Sequence, residues 1–575
     1  MRNFLLALAL LAPALPDLPE SILYLTGASC IEELDESEIE RWRSLSEHPL
    51  DLNAASRSRL ASSGLFSGYQ VAVLMDERSR GGDILSLTEL GLLDGFSPEF
   101  AQALRHFIVL RTSAPPGGRQ KTALHGDAMV RGAARQVGED GEANAGAKIA
   151  LQYGERASLN WASRTTYSDS EFGPGTASVA YYGKRFLGKV VAGDYNARFG
   201  QGLAMWSGFT MSGVPSAASL RRSGTGLSAS SSFTRTLHGV GADFNFGGWT
   251  LSAAYSWPDV GMVNLEWTGR RATLGVTWAD GTAAAHWQVG GPGLAFFGEA
   301  ALPTGTPWGA SSQDSAAAST QDSAAGSSAS ALSPAALAGV LWVPEYGTQV
   351  SALLRYYSPG YAASHASAVR SSTKTADELG ASAGVRSAWF QATVDAVLHP
   401  SSRESQVKAL VTAAPSFEAG PLKIAPAARL SVRYRDADAS PLRTDLRAEL
   451  KAALGSWSLE GRYNALWCKD FAWLWFAEAG YSSDLRACLR FTLFKIDDWE
   501  DRIYVYERDA PGNFTVPAYY GRGWALSAFA GWKFPRRERR LGHALYLRAS
   551  LLRYPWTEPA KDSKTEIKLQ WQVSL

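Results

Sequence analysis

Long apolar runs and cysteines are the two features that this chain of 575 residues largely lacks. Beyond the amino terminus, no stretch approaches the roughly 18 consecutive apolar residues that a membrane-spanning helix needs, which excludes a helical membrane protein. Only Cys30, Cys468 and Cys488 are present, so disulfides are not the framework of the fold, although the spacing leaves a bridge between Cys468 and Cys488 open. The formal net charge is +1, and a balance so close to zero predicts no class of partner.

Signals for catalysis are also weak. The 8 histidines are scattered without the spacing of metal ligands, and the chain has neither a nucleophile elbow nor a phosphate-binding loop that ends in Gly-Lys-Ser/Thr. We therefore expect a protein that is not an enzyme and that uses no metal and no cofactor.

What the chain does have is strict alternation of apolar and polar residues. In 564–575 one parity is apolar and the other polar, with Ile567, Leu569, Trp571, Val573 and Leu575 against Glu566, Lys568, Gln570, Gln572 and Ser574. A period of two indicates a strand with one apolar and one polar face. The pattern recurs at 457–465, 485–493 and 442–454, where it fits a strand better than an amphipathic helix. The 20 Trp, 21 Tyr and 23 Phe suit the aromatic girdles of a membrane barrel.

These patterns predict a mainly β protein, a transmembrane antiparallel β-barrel of roughly 16–22 strands preceded by a small α-helical domain. A short apolar run that ends in small residues predicts an export signal at 1–14. We assign 15–111 to a periplasmic helical domain, 112–120 to a Pro/Gly linker and 121–575 to a barrel in the bacterial outer membrane, with lipid as its partner. The Ser/Ala/Gly-rich stretch 304–334 is expected to be a disordered outward loop.

The helical region carries an ordered set of motifs: DLNAAS at 51–56, SGL at 63–65, DILSLTE at 83–89 and DGF at 94–96. Their order resembles the tandem helix-hairpin-helix module of competence DNA receptors, over 50–110. The resemblance implies that each glycine hairpin offers backbone amides to a DNA phosphate, as a helix N-terminus can. The DNA-binding candidates are Gly64, Leu65, Gly68, Gly95, Phe96, Arg57 and Arg59.

Two observations argue against DNA binding. The second glycine of each hairpin is replaced, by Phe66 in the first and Ser97 in the second, and acidic residues outnumber basic ones between 50 and 111. Nucleic-acid binders present a basic excess instead. The alternative is a helical plug or protein-docking module that kept the fold and lost the phosphate site.

The barrel region has motifs of its own: GDYNARFGQGLAMWSGF at 193–209, RRSGTG at 221–226, DRIYVYE at 501–507 and VPAYYGRG at 516–523. They resemble a poorly characterised family of bacterial outer-membrane proteins in which a helix-hairpin-helix module precedes a barrel. The resemblance implies the two-part architecture and supplies no molecular role.

Arginines dominate the wet parity of the late strands, and neighbouring strands would set them side by side as one wall. The candidates for this anion-binding wall are Arg433, Arg443, Arg447, Arg462, Arg486 and Arg490. A wall of one sign in a narrow passage concentrates anions. Alternatively, these arginines pair with acidic side chains of a plug, with Asp497, Asp498, Glu500 and Asp501 as the candidates.

The Gly-rich segment 200–232 breaks the strand rhythm. It could fold inward as a constriction, with Gln201, Trp206, Arg221 and Arg222 as the candidate residues, or it could stay outside as a loop held by its aromatics. We therefore expect passage or capture of an anionic ligand, with DNA uptake as the sharpest version and DNA or another anionic polymer as the partner. The alternatives are a structural, assembly or secretion-associated protein that docks a periplasmic protein, and a general porin or solute transporter.

Overall fold

The computed structural model describes residues 12–13, 18–28, 30–34, 36–112, 124–169, 171–208, 215–291, 293–304, 333–344, 348–534 and 541–575. Most of the predicted export signal 1–14, linker 112–120 and outward loop 304–334 lies outside the described residues.

One antiparallel sheet of 24 long strands winds around the molecule and closes on itself. The last strand pairs with the first and places Gln570 opposite Arg131 and Trp571 opposite Val130. The predicted fold class is confirmed, and the strand number lies just above the expected range. Several strands between 157 and 303 are short and joined by tight turns such as 247–248.

The barrel strands, numbered in chain order, are β1 Leu124–Val137, β2 Asp140–Tyr153, β3 Ala157–Arg164, β4 Thr176–Tyr182, β5 Leu187–Arg198, β6 Leu237–Phe246, β7 Trp249–Ser256, β8 Val260–Thr268, β9 Ala272–Ala279, β10 Thr282–Gly290, β11 Leu294–Pro303, β12 Ala335–Trp342, β13 Gln349–Tyr357, β14 Glu378–Arg386, β15 Phe390–Leu398, β16 Ser405–Ala413, β17 Leu422–Arg435, β18 Leu442–Leu454, β19 Trp457–Trp467, β20 Phe471–Ser482, β21 Leu485–Ile496, β22 Gly521–Lys533, β23 Gly542–Arg553 and β24 Lys564–Ser574. Short strands Ala12–Pro13, Gly226–Ala229 and Phe417–Ala419 add to the same sheet, and Ile503–Tyr504 pairs with Ala518–Tyr519.

The two faces of the sheet meet different surroundings. In β24, Leu569 and Trp571 are 51% and 49% exposed on the outside, whereas Gln570 between them is 1% exposed on the inside. Exposed leucines repeat along β18 in the same way, at Leu442, Leu446, Leu450 and Leu454. In the described part of the chain no second sheet covers these side chains, so the outer face is a band that suits hydrocarbon.

The two rims of the barrel differ in the length of their connections. Tight turns such as 154–156, 247–248 and 269–271 lie at one rim, and the long connections 199–236, 304–334, 358–377 and 497–520 lie at the other. Exposed aromatics flank the band at both ends, with Trp249, Trp457 and Trp532 near the tight turns and Trp257, Trp467 and Trp556 near the long connections. Such paired girdles mark the two interfaces of a membrane.

In the described part of the chain the α-helices precede the barrel: α1 Leu18–Thr26, α2 Glu36–Glu47, α3 Arg57–Ser63, α4 Gly68–Arg80, α5 Leu87–Leu92 and α6 Pro98–Leu104. They share a core of their own, built around Trp42, Leu60, Leu74, Leu90 and Phe107, and Leu50–Asp51 pairs in parallel with Ile108–Val109 beside it. None of the described helices has the length and apolar character needed to cross a membrane.

Two local features were not evident from the sequence. Before α2, Ile31–Glu33 forms a separate 3-10 turn whose acidic side chains point into the barrel. Cys30, Cys468 and Cys488 are all free thiols, so the bridge between Cys468 and Cys488 is not formed.

Candidate functional site

The helical domain 18–111, called the plug below, lies in the mouth of the barrel at the rim of tight turns. Arg57 donates to the backbone oxygen of Gly247 at 3.0 Å, and the backbone N–H of Asp51 donates to Glu155 at 3.1 Å. Asp76 pairs with Arg270 at 2.5 Å on the exposed side. Three different turns of the rim therefore hold the plug.

The DNA-binding candidates lie at this junction. Arg59 pairs with Glu155 at 3.0 Å and lies over the ring of Tyr182, so both Arg57 and Arg59 are engaged with the barrel. Leu65 and Phe96 are buried in the plug core. Gly68 is exposed and begins α4 after the capping residue Ser67.

Both predicted hairpins turn at a glycine with positive φ. Gly64 (φ 70°) ends α3 and Gly95 (φ 80°) precedes α6, which is a conformation that glycine adopts without strain. A Cβ added at Gly64 would meet the guanidinium of Arg41 at 2.6 Å and the methyl group of Thr225 at 3.3 Å. The first hairpin is therefore packed against the contents of the lumen.

The arginines of the predicted anion-binding wall lie on neighbouring strands, as expected. The register places Arg433 opposite Arg443 and Glu449 opposite Arg462. Its charges, however, are largely matched. Arg433 pairs with Asp438, Arg490 pairs with Glu478, and Arg447 pairs with Glu449 and Glu32.

The partners of these arginines are not the acidic residues that the sequence suggested. Asp497 pairs with Arg522 and Asp498 with Lys469, and Glu500 contributes only its backbone oxygen, to Arg443. The side chain of Asp501 is buried and accepts backbone N–H groups of 469–470. The plug does contribute acidic partners, but from Glu32 and Glu33, because only the plug's own 3-10 turn reaches this part of the wall.

The segment 199–229 folds into the lumen, apart from 209–214, which lie outside the described residues. Glu299 of β11 accepts the backbone N–H groups of Gln201 at 2.6 Å and Leu203 at 3.2 Å. Leu203 and Leu220 pack against wall residues such as Phe297 and against Tyr361 of the connection 358–377. Both connections therefore line the inside of the barrel.

The four constriction candidates come together at this place. Gln201 and the backbone of Arg222 exchange two hydrogen bonds, at 3.0 and 2.9 Å. The ring of Trp206 lies 4.9 Å from the guanidinium of Arg222. Arg221, which precedes Arg222 in the sequence, lines the same cavity. Segment 199–229 thus presents aromatic and cationic groups to the lumen.

A cavity of about 1230 Å³ separates the plug from this segment and from the ends of β10–β14. Both plug hairpins, 64–67 and 95–97, line it. We call it the basic cavity, defined by Arg41, Arg221, Arg222, Arg370 and Arg386. None of these five makes an ion pair with a carboxylate of the described residues, although Glu33 and Glu38 also line the cavity and the charge of Glu38 acts on Arg222.

These arginines stay charged, but few opposite charges lie close to them. Burial, together with the nearby charge of Arg370, lowers the pKa of Arg222 to about 10, still far above neutral pH. Arg222 and Arg370 donate to backbone and hydroxyl oxygens of 367–372, and Arg386 donates to the backbone oxygen of Tyr24. The Nε of Arg41 is buried without a partner. A guanidinium has more N–H donors than these contacts use, so donors remain for an anion in this cavity.

A second cavity of about 1100 Å³ lies between the plug and strands β22–β24, β1 and β2. It holds Arg486, the last of the predicted wall residues, together with Asp127, Glu155 and Asp509. Its mixed charge gives no preference for ligands of one sign.

Sequence reasoning did not identify Arg41, Arg370 or Arg386. Arg41 lies on a helix with more acidic than basic residues. Arg370 lies in the connection 358–377 and Arg386 ends β14, both far from segment 199–229 in sequence. No local pattern marks them, because the fold alone brings them together. Within the described residues, no cluster of His, Cys, Asp or Glu side chains could hold a metal ion.

Comparison with known proteins gives structural similarity only. No protein-family model matches the chain, and no curated protein matches it. Solved structures from Pseudomonas aeruginosa are similar over most of the barrel: OccK5 (OpdH) at 10% identity, covering 79% of this chain and 98% of that one with a TM-score of 0.29, and OpdL at 10% identity, 80% and 99%, with a TM-score of 0.32. OccK2 (OpdF), solved in complex with glucuronate, matches at 10% identity, 79% and 98%, with a TM-score of 0.33. At these values the architecture of this chain rests on its own strand pairings, which make it a closed membrane barrel with a helical domain in one mouth.

Proposed function

We propose that this protein is a bacterial outer-membrane barrel that captures or passes a multivalent anionic solute, with its plug on the periplasmic side. The observation that carries the proposal is the basic cavity. Five arginines that form no ion pair with a described carboxylate face one space between plug and barrel there, against two acidic residues, Glu33 and Glu38, in the same lining. The proposed role is transport, not catalysis.

Charge is the physical basis for the anionic solute. Charges that line a narrow passage with low-dielectric walls focus the field and raise the local concentration of the opposite sign. Arginine guanidiniums also offer paired donors that suit carboxylates and phosphates. A solute with more than one negative charge would use several of these arginines at once.

The orientation follows from the rims. Outer-membrane barrels have short periplasmic turns and longer extracellular loops, and the plug lies at the rim of tight turns. The plug and the basic cavity then face the periplasm, and the connections 199–236 and 358–377 descend from the outer side into the lumen.

DNA is a polymeric anion that would fit the proposed ligand class. The hairpins 64–67 and 95–97, which the sequence relates to helix-hairpin-helix units, both line the basic cavity, so a phosphodiester chain there would reach hairpins and arginines together. Binding of duplex DNA to the full chain across a salt series tests this version, because neutralised phosphates give a steep dependence of affinity on salt. Absence of binding at low salt removes the DNA version and leaves small anions as the proposed ligands.

The main test measures binding of inorganic tripolyphosphate to the full chain in detergent by calorimetry. Arg41→Gln with Arg221→Gln removes two cavity charges that make few contacts of their own. We expect affinity to fall at least about tenfold, since each lost charge-assisted contact is worth roughly 1 kcal/mol or more. Arg185→Gln with Arg403→Gln removes two exposed charges elsewhere and should leave affinity unchanged. Equal affinity in both pairs of variants would overturn the proposal.

A periplasmic protein partner is the second candidate. Leu85 and Leu92 on the plug are 65% and 78% exposed, although both are large apolar side chains in the water-facing helical domain. If docking is the function, Leu85→Ser with Leu92→Ser would abolish the activity of the protein in cells, while tripolyphosphate binding persists. The general porin is the third alternative, and a large, unselective conductance of the full chain in planar bilayers would favour it.

A further inference from the structure

The segment 30–34 of the plug, called the tip below, reaches deeper into the barrel than the helices that flank it. Glu32 accepts from Arg462 of β19 at 2.5 Å and from Arg447 of β18 at 3.2 Å. It also accepts the backbone N–H of Tyr506, in the connection 497–520, at 3.1 Å. Beside it, Glu33 pairs with Arg429 of β17 at 2.5 Å. Two adjacent carboxylates thus contact three arginines on three neighbouring strands.

This contact is buried and fully ionic. The side chains of Glu32 and Arg462 are only 9% and 5% exposed. Burial alone would raise the pKa of the Glu32 carboxyl, but Arg447 and Arg462 outweigh it and hold that pKa well below its ordinary value. Glu32 is therefore a charged group in an arginine pocket, which is the position that a bound anion would occupy.

Without the tip, the wall would keep an excess of positive charge. Arg447 retains Glu449, but that carboxylate also binds Lys451. Among the described residues Arg462 then keeps the amide oxygen of Asn464, the backbone oxygen of Tyr504 and the ring of Phe476, but no ion pair. Arg429 loses the thiol of Cys30 together with Glu33 and keeps the nearby charge of Asp445. Two of the six wall arginines that the sequence suggested as an anion site, Arg447 and Arg462, are thus occupied by the plug itself.

We propose that Glu32 and Glu33 act as a tethered anionic ligand, and that a multivalent anion in the lumen takes their place on Arg429, Arg447 and Arg462 and releases the tip from the wall. This inference rests on the proposed function, since the displacing anion is the solute. The exchange replaces one set of ion pairs by another, so no buried arginine is left uncompensated when the tip leaves.

The ligand class is a compact anion with at least two negative oxygens. Arginines on adjacent strands match paired oxygens of carboxylates and of phosphates alike. Chloride has a single charge and no paired oxygens, so it matches the guanidinium fork poorly and cannot replace the charge of two carboxylates. Citrate and tripolyphosphate separate the two possible sources of this chemistry.

Cys30 reports the position of the tip. It is 4% exposed, and burial raises the pKa of its thiol to about 12. While the tip is docked, little thiolate is present at neutral pH, so the thiol reacts slowly with maleimide. A released, solvated thiol has a pKa near 8.5 and reacts much faster. Replacing Cys468 and Cys488 by serine leaves Cys30 as the single cysteine of the full chain.

The experiment measures the maleimide labelling rate of Cys30 in the full chain in detergent, at constant ionic strength set with sodium chloride. We expect saturating tripolyphosphate or citrate to raise the rate at least about tenfold, and the stronger of the two anions identifies the ligand as phosphate-like or carboxylate-like. Glu32→Gln with Glu33→Gln should label quickly without any anion and gain nothing from one. Glu47→Gln, which removes a carboxylate paired only with Arg43 inside α2, should behave as the parent. Heat-modifiable migration of every variant checks that the barrel has folded.

The outcomes separate the two proposals. If tripolyphosphate binds by calorimetry but Cys30 labelling stays at the slow rate, the tethered-ligand inference is overturned and the proposed function stands. If the anion does not bind the parent at all, the proposed function is overturned and the inference with it. If Glu32→Gln with Glu33→Gln labels as slowly as the parent in a folded barrel, the two carboxylates do not hold the tip, and the inference fails on that result alone.

Discussion

At the scale of single residues, a histidine sets how firmly the plug holds the first strand of the barrel. The ring of His48 lies 2.6 Å from the carboxylate of Asp127 in β1. The hydrogen bond to Asp127 raises the pKa of His48, although partial burial acts against it. The other charged groups that face it are Glu47 and Arg43 of the same helix, and the ring of His125 lies 6.3 Å away.

We predict from this contact that docking of the plug weakens at high pH. A raised pKa means that the contribution is complete below about pH 6.5 and is lost as pH rises through the raised value of the folded protein. For a mostly buried charged pair we expect about 1 kcal/mol, or roughly fivefold in the opening equilibrium. Hydrogen exchange of the amides of α2, corrected for the intrinsic effect of pH, measures it. In His48→Asn the same amides should show no such change between pH 6 and 9, and an identical pH dependence in both proteins would contradict the assignment.

At the scale of elements, each strand has one face for lipid and one for the lumen, and the two tolerate charge differently. Leu569 and Lys568 are neighbours in β24, but Leu569 is half exposed on the outer face and Lys568 pairs with Asp509 inside. We predict that Leu569→Arg destabilises the barrel by about 2–4 kcal/mol if it lies near the bilayer midplane, whereas Lys568→Arg is tolerated. The denaturant midpoint of each variant in lipid vesicles measures the difference. Equal midpoints would mean that Leu569 does not face hydrocarbon.

At the scale of the whole molecule, the plug and three inward connections share one lumen. A 24-strand barrel would enclose a wide channel if it were empty, but the plug lies in one mouth and the connections 199–236, 358–377 and 497–520 line the interior. We predict that the full chain conducts little in planar bilayers and that removal of 18–111 gives a stable conductance, narrowed by the remaining connections. Heat-modifiable migration verifies that the shortened chain is folded. A conductance unchanged by the removal would show that the plug is not the main obstruction.

Much of the barrel could be predicted from the sequence, because the alternation of apolar and polar residues along a strand shows which side chains face lipid and which face the lumen. Alternation alone predicted strands at 442–454, 457–465, 485–493 and 564–575, and the structure has strands at 442–454, 457–467, 485–496 and 564–574. These signals are local, since the side chains within one element determine them.

The site could be predicted only in part, because its charges come from distant segments. Arg221 and Arg222 stood out through an unusual Gly-rich stretch, whereas Arg41 and Arg370 had no local signal and meet them only through the docking of the plug and the inward fold of 358–377. Similarly, Arg447 and Arg462 look like a free cationic wall until the tip supplies Glu32.

The sequence by itself determined that this protein is a barrel with an oily outside and a polar inside, since alternation with a period of two fixes which side chains share a face. Only the tertiary structure decided which of the polar charges stay unpaired. Ion pairing depends on distances of a few ångströms between residues hundreds of positions apart, and the pairs between Glu32 and the wall arginines exist only because the barrel closes around the plug.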